Sequence, residues 1–596
     1  MVDSLPIPTV GGNGEMNGNS AQSSARISLA GNSLESDSLT GNSLGGDSLA
    51  GSSSTGIIPS ISTGIEINHP WKKNVLLIIH DVYQDFNVFP LAYGYLAAML
   101  QTAGYSVEVY CMDVFHYTNA QLEKKLLNSE YDLIGAGFMP ARFEETIVGL
   151  CESVNKYKKN AWFFLGGPGP TPIPEYMLQR TRADLVLMGE AEHSIVEVMD
   201  AKLGKRRLSE IKGITYWESD QVKVNPRRPV FRDLDSLPWP AWDLFPMESY
   251  TQSWRMAGMD SDEKTCAIIA NRGCTDTCSF CYRIEKGLRL RNLNEIIKEM
   301  KYLTAKYGIT YFHFLEELST FPRNRVFEFE RLLKENNLNV KWCCNSRAPL
   351  FDEEVALSLK KAGCLFVNIG FESVDQTVLD EMNKRVTAED NLKALQVANK
   401  VEIGMGLNFI WGFEKDTKET LWKNVKAIKT YTRFDQVRTI RPPTPYPGSP
   451  LYYQAIEKGI ISGPDDFFKK FRNSDLITFN FTRFSDQECN EMLFEANKEL
   501  VFHHFRNAGG DLEEANQIIE GYRRLYLEGD YKFRGARRYD KESRQKSNLG
   551  GKKEVSGNGQ DNGAVQVIVQ GGKISVDQAI QVEKAIVDQT AQMITA

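Results

Sequence analysis

The sequence predicts an α/β chain in which a doubly wound, Rossmann-like domain is followed by a partial (β/α)6 TIM-type barrel and a helical C-terminal region, with disordered tails at both ends. Three observations carry that reading. Strand-like runs alternate with helical periods from residue 72 to about 450, most of these runs are apolar throughout, and the composition changes abruptly at each end. Runs apolar on both sides belong to parallel strands covered by helices on both faces. A length of 596 residues with 42% apolar content supports several such domains, and a net charge of −7 lacks the basic excess that phosphate neutralisation needs. Nucleic acid is therefore excluded as the main partner. No apolar run reaches the roughly 18 residues of a membrane-spanning helix. The first 26 residues hold neither a basic start before Arg26 nor an apolar core, so no secretory leader is read and the expected location is cytoplasmic.

Taken in order, residues 1–64 are a Gly-, Ser- and Asn-rich tail with a short echo at Asn32-Ser33-Leu34, Asp37-Ser38-Leu39, Asn42-Ser43-Leu44 and Asp47-Ser48-Leu49. Such a tract buries too little to offset its ordering entropy. The first domain, 72–215, carries strand runs NVLLIIH, SVEVYCM, DLIGAGF, AWFFLGG and ADLVLMG. A connector, 216–260, contains DLDSLPWPAW, whose prolines oppose regular structure and whose tryptophans suit a wedge between domains. The barrel, 261–450, has strands near CAIIAN, TYFHFL, VKWCCN, CLFVNIG, GMGLNFIWG and FDQVRTI, and its reactive ends are the carboxyl ends of those strands. A helical, aromatic region fills 451–544. In 545–596 a linker precedes AVQVIVQ-GG-KISV, read as a hairpin turning at Gly-Gly, and Asp577 is placed to cap a helix.

Ten cysteines are too few for a disulfide framework in a chain this long, and Cys274, Cys278 and Cys281 crowd into RGCTDTCSFCY just past the first barrel strand. Thiolates in a C-x3-C-x2-C loop suit three corners of a cubane cluster and leave the fourth iron open to substrate. Structural zinc is the alternative, but it favours paired C-x2-C knuckles, and Cys266, Cys343, Cys344 and Cys364 supply no second one.

This motif after the first strand of a six-unit barrel, flanked by Phe280 and Tyr282, resembles the radical S-adenosylmethionine enzymes. The resemblance implies a [4Fe-4S] cluster on Cys274, Cys278 and Cys281, with S-adenosyl-L-methionine chelating the open iron and cleaved to a 5′-deoxyadenosyl radical. It further implies that Glu316 and Glu317, in FLEEL, receive the amino group of that cofactor, and that Glu372 and Ser373, in NIGFESV, contact its ribose and amino-acid part. Gly412, in a stretch lacking the family's proline, falls at the adenine segment. Asn345, Arg347, Arg438 and Arg441 also fall at strand ends, and Arg347 is the preferred partner for a carboxylate or phosphate.

The order PLAYGYLAAMLQTAGYSVEVY, DLIGAGF, FFLGGPGPTPIPE and DLVLMGEAE in the first domain, together with the DLDSLPWPAWDLFP connector, resembles the cobalamin-binding domain that precedes the barrel in cobalamin-dependent radical S-adenosylmethionine enzymes. Ligands of doubly wound sheets lie at the carboxyl ends of the strands, where Gly135, Gly137, Gly166, Gly167 and Gly189 give backbone room for a macrocycle. The Asp-x-His-x-x-Gly signature is absent, which makes His80 and His193 the nearest candidates for a corrin contact. The implied activity is methylation of an unactivated carbon through the 5′-deoxyadenosyl radical and methylcobalamin. A radical cyclase, oxidase or rearrangement enzyme of the same architecture is the alternative, and a non-catalytic cobalamin sensor is the alternative of another class. The substrate class stays open among small molecules, pigments, lipids and peptides. An electron donor such as flavodoxin or ferredoxin is expected, with 523–553, carrying 11 Lys or Arg against 4 Asp or Glu, as one place to dock it.

Overall fold

The computed structural model describes residues 74–81, 87–253, 255, 259–531 and 533, together with the backbone of 566–569 and 572–575. The expected N-terminal tail, the 545–563 linker and the helix after Asp577 lie outside the described residues.

The first sheet contains β1 (Val75–Ile79), β2 (Val107–Cys111), β3 (Leu133–Gly137), β4 (Trp162–Gly166), β5 (Leu185–Leu187), β6 (Ile214–Glu218) and β7 (Gln221–Val224), in the order β2-β1-β3-β4-β5-β6-β7. Strands β1 to β5 are parallel, whereas β6 and β7 run antiparallel at one edge. Every residue of β1 is buried because both faces are covered. Leu76 and Ile78 meet Leu122 and Leu150 on one side; Val75 and Leu77 meet Leu100 and Val198 on the other. The expected domain boundary at 215/216 cuts through β6. ITYWE and QVKV carry polar residues towards solvent, so they lack the unbroken apolar run by which the inner strands were read.

The second sheet is six-stranded and parallel. With β8 (Thr265–Ile268), β9 (Asn271–Arg272), β10 (Arg289–Leu290), β11 (Tyr311–Phe314), β12 (Lys341–Ser346), β13 (Cys364–Glu372), β14 (Gly404–Ile410) and β15 (Ile440–Arg441), its order is β15-β14-β13-β12-β11-β8. Strand β15 is two residues long where the run FDQVRTI predicted a full strand. The remaining pair, β9 and β10, forms a short antiparallel ladder that closes the loop 273–288. Outer helices follow from apolar spacing: Leu293–Tyr307 buries Leu293, Ile296, Ile297, Met300 and Leu303, starts at the Asn292 cap and stops at left-handed Gly308. The edge strand β15 is covered by the helix Asp486–Ala508, whose Asn497 amide accepts from Ile440 N at 2.8 Å and donates to Ile440 O at 3.0 Å.

In the connector, Trp242 is buried in one apolar cluster with Ile79 and Phe89 of the first domain and with barrel residues, its ring 4.3 Å from Phe89. The C-terminal segment forms an antiparallel pair, Gln566–Val569 with Gly572–Ser575, so Gly572 sits in a strand and not in the expected Gly-Gly turn.

Candidate active site

The cysteine loop is held from several directions. Gly273 has φ +88°, and a Cβ there would stand 2.0 Å from Gly287 O, so only glycine closes the loop at this point. Gly273 N donates to the Glu317 carboxylate at 3.1 Å. Ser279 N donates to Met382 O at 2.9 Å, the Asn383 amide donates to Thr277 O at 2.9 Å, and Leu451 N donates to Ser279 O at 2.8 Å. Arg347, at the end of β12, forms an ion pair with Asp276 and donates to Lys384 O.

Cys278 is buried, and Cys274 and Cys281 are half-buried. Burial pushes the Cys281 thiol up to about 11, with Cys278 and Cys274 adding to the rise and Arg283 opposing it. Burial also raises Cys278, against the pull of Lys384 and Arg347. Three thiols on one loop, within electrostatic reach of Lys384, Arg347 and Arg283, form a donor set of the chemistry a cluster takes. Among the described residues no three His, Cys, Asp or Glu side chains converge on one ion position. A cubane takes one thiolate per corner, so its ligands stand further apart than those of a single zinc ion.

Alternation along the barrel strands sorts the other candidates. Phe312, Phe314, Val367 and Ile369 pack outward on the helices, whereas Tyr311, Cys343 and Phe366 form an inner apolar floor. Above that floor the Asn408 amide donates to Asn368 Oδ1 at 3.0 Å, and the Asn368 amide donates to Asn345 Oδ1 at 3.1 Å. Asn345 in turn donates to Glu316 O at 2.7 Å. At the rim a β-bulge between Gly370 and Glu372, with Glu372 at φ +60°, aims that carboxylate at Lys384 Nζ, 2.8 Å away, and both side chains are buried. Glu317, Arg347 and Glu372 therefore cluster around the cysteine loop.

Three expected contacts are placed differently. Glu316 turns outward: its carboxylate accepts from Ala270 N at 3.2 Å and lines a small cavity with Leu293, Phe314 and Phe329. Ser373 is fully buried, with its hydroxyl accepting from Asp375 N at 3.1 Å and lying 3.4 Å from Asn424 Oδ1, so it shapes the turn after β13. Gly412, at φ +131° against Pro443, lets two backbone N–H groups, its own and that of Phe413, reach the buried Asp416 carboxylate at 2.9 and 3.0 Å. Of the strand-end arginines, Arg438 pairs with Asp435 and donates to Met405 O at 2.8 Å, and Arg441 pairs with Asp475.

Burial lifts Glu316 from the ordinary 4.5 to about 7. A raised carboxyl favours the folded state below the unfolded value, and that advantage is lost as pH climbs through the folded one. Glu316→Gln is therefore expected to match the wild type at about pH 4.5 and to be more stable at about pH 8, by about 3 kcal/mol. Urea denaturation at the two pH values checks this.

In the first domain, Gly135 makes room for the Phe164 ring, which a Cβ would meet at 1.9 Å, so this glycine serves sheet packing and not a macrocycle. Gly137 is fastened by Tyr93, whose hydroxyl accepts from Gly137 N at 2.6 Å and also lies 2.8 Å from Ile78 O, bridging β1 and β3 where the sheet order reverses. Gly166 and Gly167 end β4, with Gly167 beside the Phe138 backbone. Gly189 faces the cysteine loop: a Cβ there would meet Glu285 Oε1 at 2.5 Å. Gly448 likewise packs between Pro172 and Tyr282. The strand ends of the first sheet thus adjoin the loop that carries the cysteines. His193 stacks edge-on against Phe231 at 5.4 Å, away from a role as a free ligand.

A charged network holds this contact. Arg289 grips Glu190 with two bonds of 2.7 and 2.6 Å, and Arg272 pairs with Glu192 at 2.6 Å while its guanidinium lies 5.0 Å from the Tyr95 ring centre. The sequence reading missed these residues together with Tyr93, Asn368, Asn408, Lys384 and Asp276. The asparagines left a signal, as single polar residues inside otherwise apolar strands.

Two α/β units, one with a sheet-order reversal at β1 and β3 and one with a three-thiol loop, meet at the cysteine loop. Residues 268–428 match the family model of the radical SAM superfamily, and residues 78–199 match that of the B12 binding domain. An uncharacterized methyltransferase of Pyrococcus horikoshii is 26% identical over 74% of this chain and 94% of its own length. An anaerobic magnesium-protoporphyrin IX monomethyl ester cyclase of Rubrivivax gelatinosus is 27% identical over 62% of this chain and 66% of its own. The solved radical S-adenosylmethionine methyltransferase TsrM from Kitasatospora setae, with cobalamin and a [4Fe-4S] cluster bound, shares the fold, with a TM-score of 0.56 at 18% identity over 72% of this chain and 89% of its own. The chain thus carries a B12 binding domain followed by a radical SAM domain, and the cofactors of these domains are cobalamin, a [4Fe-4S] cluster and S-adenosyl-L-methionine. Among the described residues no helix is long and apolar enough to cross a membrane.

Proposed function

We propose that the protein is a methyltransferase that methylates an unactivated carbon. The observation that supports this reading is the contact of Gly189 with Glu285 and of Gly448 with Pro172 and Tyr282, which brings loops after strands of the first sheet beside the cysteine loop. Cys274, Cys278 and Cys281 would hold the cluster, with Arg347 fixing their loop through Asp276. Glu317 and Glu372 are the acidic groups for the cofactor's amino and ribose parts, and the asparagine series from Asn345 to Asn408 orients polar atoms within the inner face. Gly166 and Gly167, at the end of β4, would offer the corrin backbone that carries no side chain. When bound, the cofactors supply a hydrogen-abstracting radical and a transferable methyl group. The protein's share is to bind, orient and exclude water.

The substrate on this reading is a small molecule, a pigment, a lipid or a peptide. An electron donor such as flavodoxin or ferredoxin completes the cycle, and a cytoplasmic setting suits the free thiols. The cyclase relative supports a second reading, since its 27% identity extends over 62% of this chain.

The test is anaerobic turnover with candidate substrates and labelled S-adenosyl-L-methionine. Methylation is expected to release both S-adenosylhomocysteine and 5′-deoxyadenosine and to leave label in the product. Deoxyadenosine without S-adenosylhomocysteine would move the assignment to cyclisation or rearrangement. Neither product with any substrate, from protein carrying all cofactors, would support a sensor.

A further inference from the structure

In the first sheet the ladder between β1 and β3 stops one pair short. Its last partners are Ile78 and Ala136, whereas Ile79 still pairs with Cys111 of β2 and Gly137 still pairs with Gly166 of β4. Where Ile79 and Gly137 would pair with each other, the Tyr93 hydroxyl stands instead. It accepts from Gly137 N at 2.6 Å, donates to Ile78 O at 2.8 Å and lies 3.0 Å from Gly137 O. From the end of β1 the His80 ring reaches the Gly137 backbone as well. This split lies at the carboxyl ends of the two strands about which the sheet order reverses, the place where doubly wound sheets bind ligands, and Gly137 is the one residue of β3 that is not buried. Tyr93 is held there by the connector. It sits in the first turn of the helix Leu91–Thr102, where Ala241 N donates to Gly94 O at 3.0 Å and a Cβ on Gly94 would stand 2.7 Å from Pro240 Cβ.

We propose that Tyr93 is a positioning residue for cobalamin: its hydroxyl keeps the ends of β1 and β3 apart, and the connector, through Pro240 and Ala241, keeps the hydroxyl in the split. The inference rests on the cobalamin reading of the first domain. Tyr93 acts through the strand ends and touches no reacting atom. Without the hydroxyl, the backbone groups it holds are free to meet each other, so Ile79 and Gly137 complete their pair and the split closes. Closure satisfies those groups, so it costs the fold little, but it lowers the fraction of chains open to the ligand and the apparent affinity with it.

The experiment measures the affinity of the full chain for hydroxocobalamin by anaerobic equilibrium dialysis, and the thermal midpoint of the same protein without it. Tyr93→Phe, which removes one oxygen and keeps the ring, is expected to bind about 10-fold more weakly with a midpoint close to that of the wild type. Gly94→Ala, which pushes the first turn of the helix off Pro240, is expected to weaken binding in the same direction. Tyr105→Phe is the control. It loses a hydroxyl bond to Asp200 just before β2, at the amino end of the same sheet, and is expected to keep the wild-type affinity whatever its midpoint. Wild-type affinity in Tyr93→Phe, or a loss that Tyr105→Phe matches, overturns the inference and leaves the cobalamin reading intact. If Tyr93→Phe does not fold, Gly94→Ala set against Tyr105→Phe decides by the same criterion. Wild-type protein that binds no cobalamin overturns that reading, and the role of Tyr93 with it.

Discussion

Alanine at Cys274, Cys278 or Cys281, introduced singly, is expected to take the anaerobically reconstituted protein from about four irons and four sulfides per chain to near background. Formation of 5′-deoxyadenosine falls to the assay blank with it. Each thiol sits on one loop fixed at Gly273, Ser279 and Thr277, so no second cysteine is placed to substitute. The buried cysteines provide the control. Cys343 lies in the apolar floor, and Cys344 faces the helix layer, so serine at either is expected to leave iron content unchanged even where it lowers stability. Arg347→Met forms the intermediate case. It removes the ion pair to Asp276 without touching a thiol, and a loss of about 10- to 100-fold in cluster retention is expected. Zinc in place of iron in the wild type would sink the cluster assignment.

Much of this arrangement was legible because strand burial writes itself into composition. NVLLIIH became β1 with all its strand residues buried, and the apolar spacing from Leu293 to Leu303 became one helix face. The cysteine loop was legible from spacing alone. What failed was facing. Glu316 and Glu317 are adjacent in the bend after β11, where no strand alternation sorts them, so only the three-dimensional structure shows Glu317 at Gly273 and Glu316 in the helix layer. The bulge at Gly370–Glu372 likewise turns Glu372 to Lys384 and leaves Ser373 inside the turn. Gly135 illustrates a second limit. A strand-end glycine reads as room for a ligand, but the room is taken by Phe164 from the neighbouring strand. Long-range ion pairs such as Arg289 with Glu190 leave no local pattern to read.

Arg272→Leu is expected to destabilise the junction between the two domains by about 3 kcal/mol, because it strands carboxylates that are largely out of water. The side chain of Glu192 is only 7% exposed and that of Glu190 13%, and both lie directly after β5 on the first domain. Arg272 itself precedes Gly273 and Cys274, so the same substitution frees the entry to the cysteine loop. Two readouts should therefore move together: a lower thermal midpoint and faster loss of iron on exposure to a chelator. Arg272→Lys keeps the charge but not the planar fork over Tyr95, and is expected to fall between the two. The double variant Arg272→Leu with Glu192→Gln removes the stranded charge. If it regains part of the stability but not the iron retention, the pair's structural cost and its positioning of the loop are separable. Full recovery of both would show that Arg272 matters to the cluster only by neutralising Glu192. An Arg272→Leu protein with unchanged midpoint and iron would mean that the Arg289 grip on Glu190 holds the domains without it.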